Sequence, residues 1–93
     1  MIEVADGTLR VSGPMVIASA AELRTAGEVA IARGAATVDL SQVSDADSAA
    51  VALLLAWLRT AQEHGRTLTI AHAPGSVRSL ATLYGVAELL PLV

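Results

Sequence analysis

Ten consecutive apolar residues, Ala49 to Leu58, set the terms on which this chain can fold. The run is too long for an ordinary strand and reaches only half of the ~20 residues that a membrane-spanning helix needs, so it reads as a helix packed within a domain. Val51, Leu54, Leu55 and Leu58 already make one inward stripe at helical spacing. Leu53 and Trp57, four positions apart, are left on a second face beside Ala49, Ala50 and Ala56. Two coverings for that face are open. Neighbouring helices of the same domain can bury it, as core residues usually are, or a partner protein can, with Trp57 as the anchor because Trp is over-represented among residues that dominate interfaces.

The rest of the core has little bulk to draw on. Hydrophobic residues make up 54% of the chain, but Phe is absent and there is one Trp and one Tyr, so Ala, Val and Leu must fill a thin, closely layered interior. Ninety-three residues are expected to form a single domain, 1–93. With 6 basic residues against 9 acidic ones and a net charge of −3, no basic stripe is available for a nucleic-acid backbone. Lys is absent, which removes Schiff-base chemistry and the lysine of a phosphate-binding loop, and no glycine-rich phosphate loop occurs. Cys is absent too, excluding disulfides and thiolate metal sites. The start, Met1-Ile2-Glu3-Val4-Ala5-Asp6, lacks the basic and apolar regions of a secretory signal, so with Met1 as the native start export is not expected.

Turn and cap residues divide the chain into elements. Ile2 to Val4 and Thr8 to Ser12 read as strands around an Asp6-Gly7 hairpin turn, the second strand stopped by Gly13-Pro14. A helix is expected from a Ser19 cap, with Glu22 three positions later, to about Arg33, burying Leu23, Ala26 and Ala30 and drawing Val16 in at its start. Thr37 to Leu40 reads as a strand and Ser41 to Asp47 as a polar loop that delivers the chain to the long helix, capped by Asp47 or Ser48 and ended by Gly65. Thr67 to Ile70 reads as the last strand. Pro74-Gly75-Ser76 then opens a third helix with Val77, Leu80, Ala81 and Tyr84 inward, closed by Gly85, and Val86 to Leu90 adds a final turn. The order β-β-α-β-α-β-α, with helix-length crossovers, implies an α/β domain with a mixed four-stranded sheet whose central strands are parallel.

Chemistry-bearing residues gather in one place. Ser41, Ser44, Asp45, Asp47 and Ser48 lie at the carboxyl end of the third strand, where open α/β sheets place contacts. Such residues are ordinarily turn and cap formers, yet a hydroxyl at a helix N-terminus is also a well-placed phosphoacceptor. His64 and His72 fall short of the three or four ligands of a zinc site. A Ser-His-Asp triad from Ser48, either His and Asp47 lacks a nucleophile-elbow glycine pattern and an oxyanion loop, so no catalytic residue is assigned.

The segment Val38-Asp39-Leu40-Ser41-Gln42-Val43-Ser44-Asp45-Ala46-Asp47-Ser48 resembles the signature of STAS domains, the group that includes anti-sigma factor antagonists. Val51 to Leu55, Gln62-Glu63-His64-Gly65, and Leu80-Ala81-Thr82-Leu83-Tyr84-Gly85-Val86 with Leu90-Pro91 are similar to the MlaB-type branch. The likeness runs over about residues 8 to 91 and is densest over 37 to 65. It implies a non-catalytic cytoplasmic subunit without cofactor or metal. Such a subunit sits at the inner membrane through the ATPase of an ABC phospholipid transporter, whose permease it meets only indirectly. It also implies a partner surface at the start of the second helix, at Asp47, Ser48 and Ala49, with the neighbouring third helix at Thr82 and Tyr84; Leu53 and Trp57 of the second apolar face complete the expected surface. Ser48 stands where that branch has a functional Thr, and is the candidate phosphorylation site. Antagonists carry their phosphorylated hydroxyl one position later, which here is Ala49. An antagonist regulated at Ser48 is the alternative function, and a homodimer is compatible with either.

Overall fold

The computed structural model describes residues 1–93. Asp6 and Gly7 both take positive φ, 54° and 76°, and form the tight turn that joins β1 (Ile2–Ala5) to β2 (Thr8–Met15) in antiparallel register. α1 (Ile17–Ala32) then crosses to β3 (Thr37–Ala46), and α2 (Ser48–Glu63) to β4 (Thr69–Ala71). α3 (Gly75–Leu83) and a short 3₁₀ turn at Ala87–Leu89 follow. The strands lie in the order β1-β2-β3-β4, with β2, β3 and β4 parallel, as the helical crossovers require.

Alternation along the strands divides the sheet into two unlike faces. Leu9, Val11, Val38, Leu40 and Ile70 are buried and join the helices in one continuous core. The opposite face is polar: the Thr37 and Thr69 hydroxyls lie 3.3 Å apart, and Arg10 pairs with Asp39 at 3.4 Å.

Several boundaries differ from the sequence expectation. β2 runs through Gly13-Pro14 to Met15 because pairing with β1 stops at Val11, so the missing proline N–H interrupts no ladder on that side, and Gly13, at φ 87°, absorbs a register shift. β3 is ten residues long and includes most of the stretch expected as a loop. Its polar outer half is a strand because β2 pairs with it, Ser12 opposite Gln42 and Met15 opposite Ala46. β4 begins at Thr69, two residues late, where it meets Thr37 of β3. α1 starts at Ile17, so Ser19 lies inside the first turn. There its hydroxyl accepts from the Val16 N–H at 3.2 Å and donates to the Pro14 carbonyl at 2.9 Å.

The second apolar face of α2 is covered from within. Leu53 and Trp57 are buried, and Trp57 lies against Gly27 of α1 so closely that a β-carbon there would overlap the indole ring. The indole N–H donates to the Arg24 carbonyl at 3.3 Å. α1 accordingly buries Leu23, Gly27, Ala30 and Ile31, and the expected Ala26 is exposed. The buried stripe of α2 is rotated toward α1, leaving Leu55 and Leu58 half-buried. On α3, Val77 and Ala81 are buried, whereas Tyr84 caps the helix and is 52% exposed.

Candidate functional site

A bulge in β3 aims the chain at the site. Val11 alone of β2 faces Leu40 and Ser41 of β3, between the Arg10–Asp39 and Ser12–Gln42 pairs. Asp39 fixes that bulge, its Oδ1 accepting from the Ser41 N–H at 2.9 Å and its Oδ2 from the Arg10 Nε at 3.4 Å. The Ser41 backbone N–H holds the Asp39 carboxyl below its ordinary value, with Arg10 and the nearby His72 acting in the same direction against the effect of burial.

A carboxyl whose folded pKa lies below its unfolded one stabilises the fold above the unfolded value, about 3.9. That stabilisation is lost as pH falls through the folded value. Asp39→Asn is therefore expected to lower stability near neutral pH by about 1.5 kcal/mol, with the gap to wild type closing in acid. Urea midpoints at pH 7 and below pH 3 check this, and a gap that stays constant contradicts it.

β3 ends at Ala46 and hands Asp47 to the start of α2. Asp47 is the N-cap, its Oδ1 accepting from the Ala49 N–H at 2.8 Å. Its Oδ2 accepts from the Ile17 N–H at 3.1 Å, so the same carboxylate also serves the first residue of α1. Ser48 opens α2 with its side chain exposed.

Between the two helices lies an open groove of about 490 Å³, lined by Ile17, Ala20, Ala21 and Arg24 of α1 and by Ser48, Ala49, Ala52, Leu53 and Ala56 of α2. The walls are mainly alanines, and Ile17 stands 81% exposed at the rim. The groove offers a partner apolar surface, one hydroxyl and one guanidinium, with no reactive cluster among them. No group of three or more His, Cys, Asp or Glu stands together in the molecule. The His64 Nδ1 lies 2.9 Å from the Thr60 carbonyl at the end of α2.

The structure thus brings together Asp47, Ser48, Ala49 and Leu53. Trp57 lies buried beneath, without surface to offer, so it is an internal packing residue and not an exposed anchor. Thr82 and Tyr84 do not reach the groove. Thr82 lines a separate shallow depression with Arg78, Ser79 and Leu83 on the outer side of α3, and its hydroxyl donates to the Arg78 carbonyl at 3.0 Å. Sequence reasoning missed the α1 wall. The sequence reading starts the helix at Ser19, which leaves Ile17 outside it, and gives the small Ala20 and Ala21 inside it no role.

A family model described as "Mlab, STAS domain" matches residues 2–91. Comparison with curated proteins gives no match. Among solved structures, the anti-sigma factor antagonist SpoIIAA in its unphosphorylated form aligns over 100% of this chain and 86% of its own, with a TM-score of 0.73 and 19% identity. An anti-sigma factor antagonist from Mycobacterium paratuberculosis aligns over 99% and 81%, at 0.79 and 23% identity. A sulfate transporter family protein from Wolinella succinogenes aligns over 97% and 79%, at 0.70 and 16% identity. At these identities the likeness is one of fold. No helix is long and apolar enough to cross a membrane.

Proposed function

From the premise that this chain belongs to the MlaB-type STAS-domain family, we propose that it is a non-catalytic subunit that binds and supports the ATPase of an ABC phospholipid transporter maintaining outer-membrane lipid asymmetry. In this reading it resides in the cytoplasm, at the inner membrane through that ATPase, and needs no cofactor. The observation that carries the reading is the alanine-walled groove between α1 and α2, with the Ser48 hydroxyl and the exposed Ile17 on its lining. Small side chains leave room for a bulky apolar element of a partner, and the central pocket of an interface is where most of its binding energy arises. Titration of the protein into the purified ABC ATPase from the same cells tests the reading: saturable binding is expected, and no detectable heat or shift at micromolar concentrations would sink it.

A second reading is an anti-sigma factor antagonist controlled by phosphorylation at Ser48. It is favoured by the exposure of that hydroxyl at the start of α2 and by the similarity to SpoIIAA, solved in both unphosphorylated and phosphorylated forms. A phosphate there would face the positive end of the helix dipole. Intact mass after incubation with the partner kinase and ATP decides it, an unmodified mass counting against.

A further inference from the structure

The geometry points to Asp47 as a positioning residue that sets the docking groove, an inference that rests on the ATPase-docking reading above. The first N–H groups of a helix have no acceptor within it, and Asp47 satisfies one from each of two helices that start 31 positions apart in the chain. Its Oδ1 takes the Ala49 N–H of α2 at 2.8 Å, and its Oδ2 takes the Ile17 N–H of α1 at 3.1 Å.

Farther along, α1 rests on α2 where Trp57 meets Gly27. The groove walls, Ala20 and Ala21 against Ala49 and Ala52, lie between these two points of attachment. They differ in kind. The Trp57–Gly27 contact is buried and apolar, whereas the Asp47–Ile17 bond is a single charge-assisted hydrogen bond at the exposed end. Ser19 ties the first turn of α1 back to the Val16 N–H and the Pro14 carbonyl, and the Asp47 N–H donates to the Met15 carbonyl at 3.3 Å, but none of these bonds joins that turn to α2 itself. Without the Asp47–Ile17 bond the first turn of α1 can shift Ile17 and Ala20 away from α2, since helix ends held by few contacts open at little cost. Asp47 therefore fixes the width of the groove, and through its cap of α2 it also fixes where Ser48 stands.

Two substitutions separate the two bonds. In Asp47→Asn the remaining oxygen still caps α2, where Asn serves as well as Asp, but the amide nitrogen confronts the Ile17 N–H as donor against donor. Ile17→Pro removes the donor from the other side. Pro suits the first position of a helix, and the preceding Val16 is already extended at φ −128° and ψ 172°. Ile17→Ala, which trims the side chain and keeps the N–H, is its control.

In the isolated protein, Asp47→Asn is expected to speed amide exchange at Ile17 by about tenfold or more, while Ala49 keeps its protection and Trp57 its emission. With the ABC ATPase purified from the same cells, Asp47→Asn should bind about tenfold more weakly than wild type, and Ile17→Pro about tenfold more weakly than Ile17→Ala. Unchanged exchange at Ile17 would overturn the latch. Weaker binding by Asp47→Asn with none by Ile17→Pro would make Asp47 a direct contact and overturn its positioning role. Faster exchange with affinity kept would overturn the link between latch and docking. A wild type that fails to bind would instead sink the docking reading, while exchange at Ile17 still reported the latch.

Discussion

Trp57→Ala is expected to cost about 4 kcal/mol of folding stability, within the range for emptying a tryptophan site in a core, and to lower the melting temperature by on the order of 20 °C. The indole is fully buried, lies against the backbone of α1 at Gly27, and gives its N–H to the Arg24 carbonyl. Alanine would leave a void that α1 cannot fill, because Gly27 brings no side chain and the flanking Leu23, Ala30 and Ile31 are already packed in the same core. In a chain with no Phe and one Trp, this contact is the largest single piece of the interior. A domain of this size has about 5–15 kcal/mol in hand, so the variant is expected to be marginal and not merely weaker in binding. Urea unfolding followed by circular dichroism checks this. A variant with the wild-type midpoint that selectively loses its partner would return Trp57 to the interface and contradict the internal role.

Ala52→Arg should do the reverse, leaving the fold intact and removing the partner. Ala52 is exposed on the wall of the groove that faces α1, and Arg is nearly as good a helix former as Ala, so stability is expected to stay within about 0.5 kcal/mol of wild type. A long charged side chain would occupy the space that the alanines leave for a partner, and would have to be buried or displaced for docking. Affinity for the ABC ATPase is expected to fall about a hundredfold, the scale of a central interface residue. Calorimetric titration beside a urea midpoint makes the comparison, and unchanged affinity would move the docking surface away from the α1–α2 groove.

These two variants also mark where sequence reasoning stopped. The Asp6-Gly7 turn, the Asp47 cap and the Gly65 and Gly85 helix ends could be read because their causes are local: positive φ at a turn or helix end, or a side chain reaching its own next turn. The parallel direction of the central strands followed from crossover length, whereas their order did not. What stayed hidden depends on residues distant in sequence. The polar half of β3 is a strand only because β2 pairs with it, and β2 continues past Pro14 only because β1 has already ended.

Gly27 was the decisive omission. In a helix a glycine reads as a propensity cost, and nothing nearby says that it seats a tryptophan thirty positions on. The choice between an internal cover and a partner for Leu53 and Trp57 therefore stayed open until α1 was placed. For the site, the Asp47–Ser48–Ala49 segment was found because cap, hydroxyl and family signature coincide there. The α1 wall and the Asp47–Ile17 bond were not, since a 30-residue separation leaves no local pattern. Thr82 and Tyr84 entered through family resemblance, and they lie outside the groove.

In the proposed function this domain docks on a transporter ATPase through the groove. The most direct measurement is recovery of the tagged protein from detergent-solubilised membranes of its own cells, with Ala52→Arg in parallel. Wild type is expected to bring down an ABC ATPase together with a permease, and Ala52→Arg neither. Recovery of a soluble kinase-like anti-sigma factor in their place would contradict it and establish the antagonist reading.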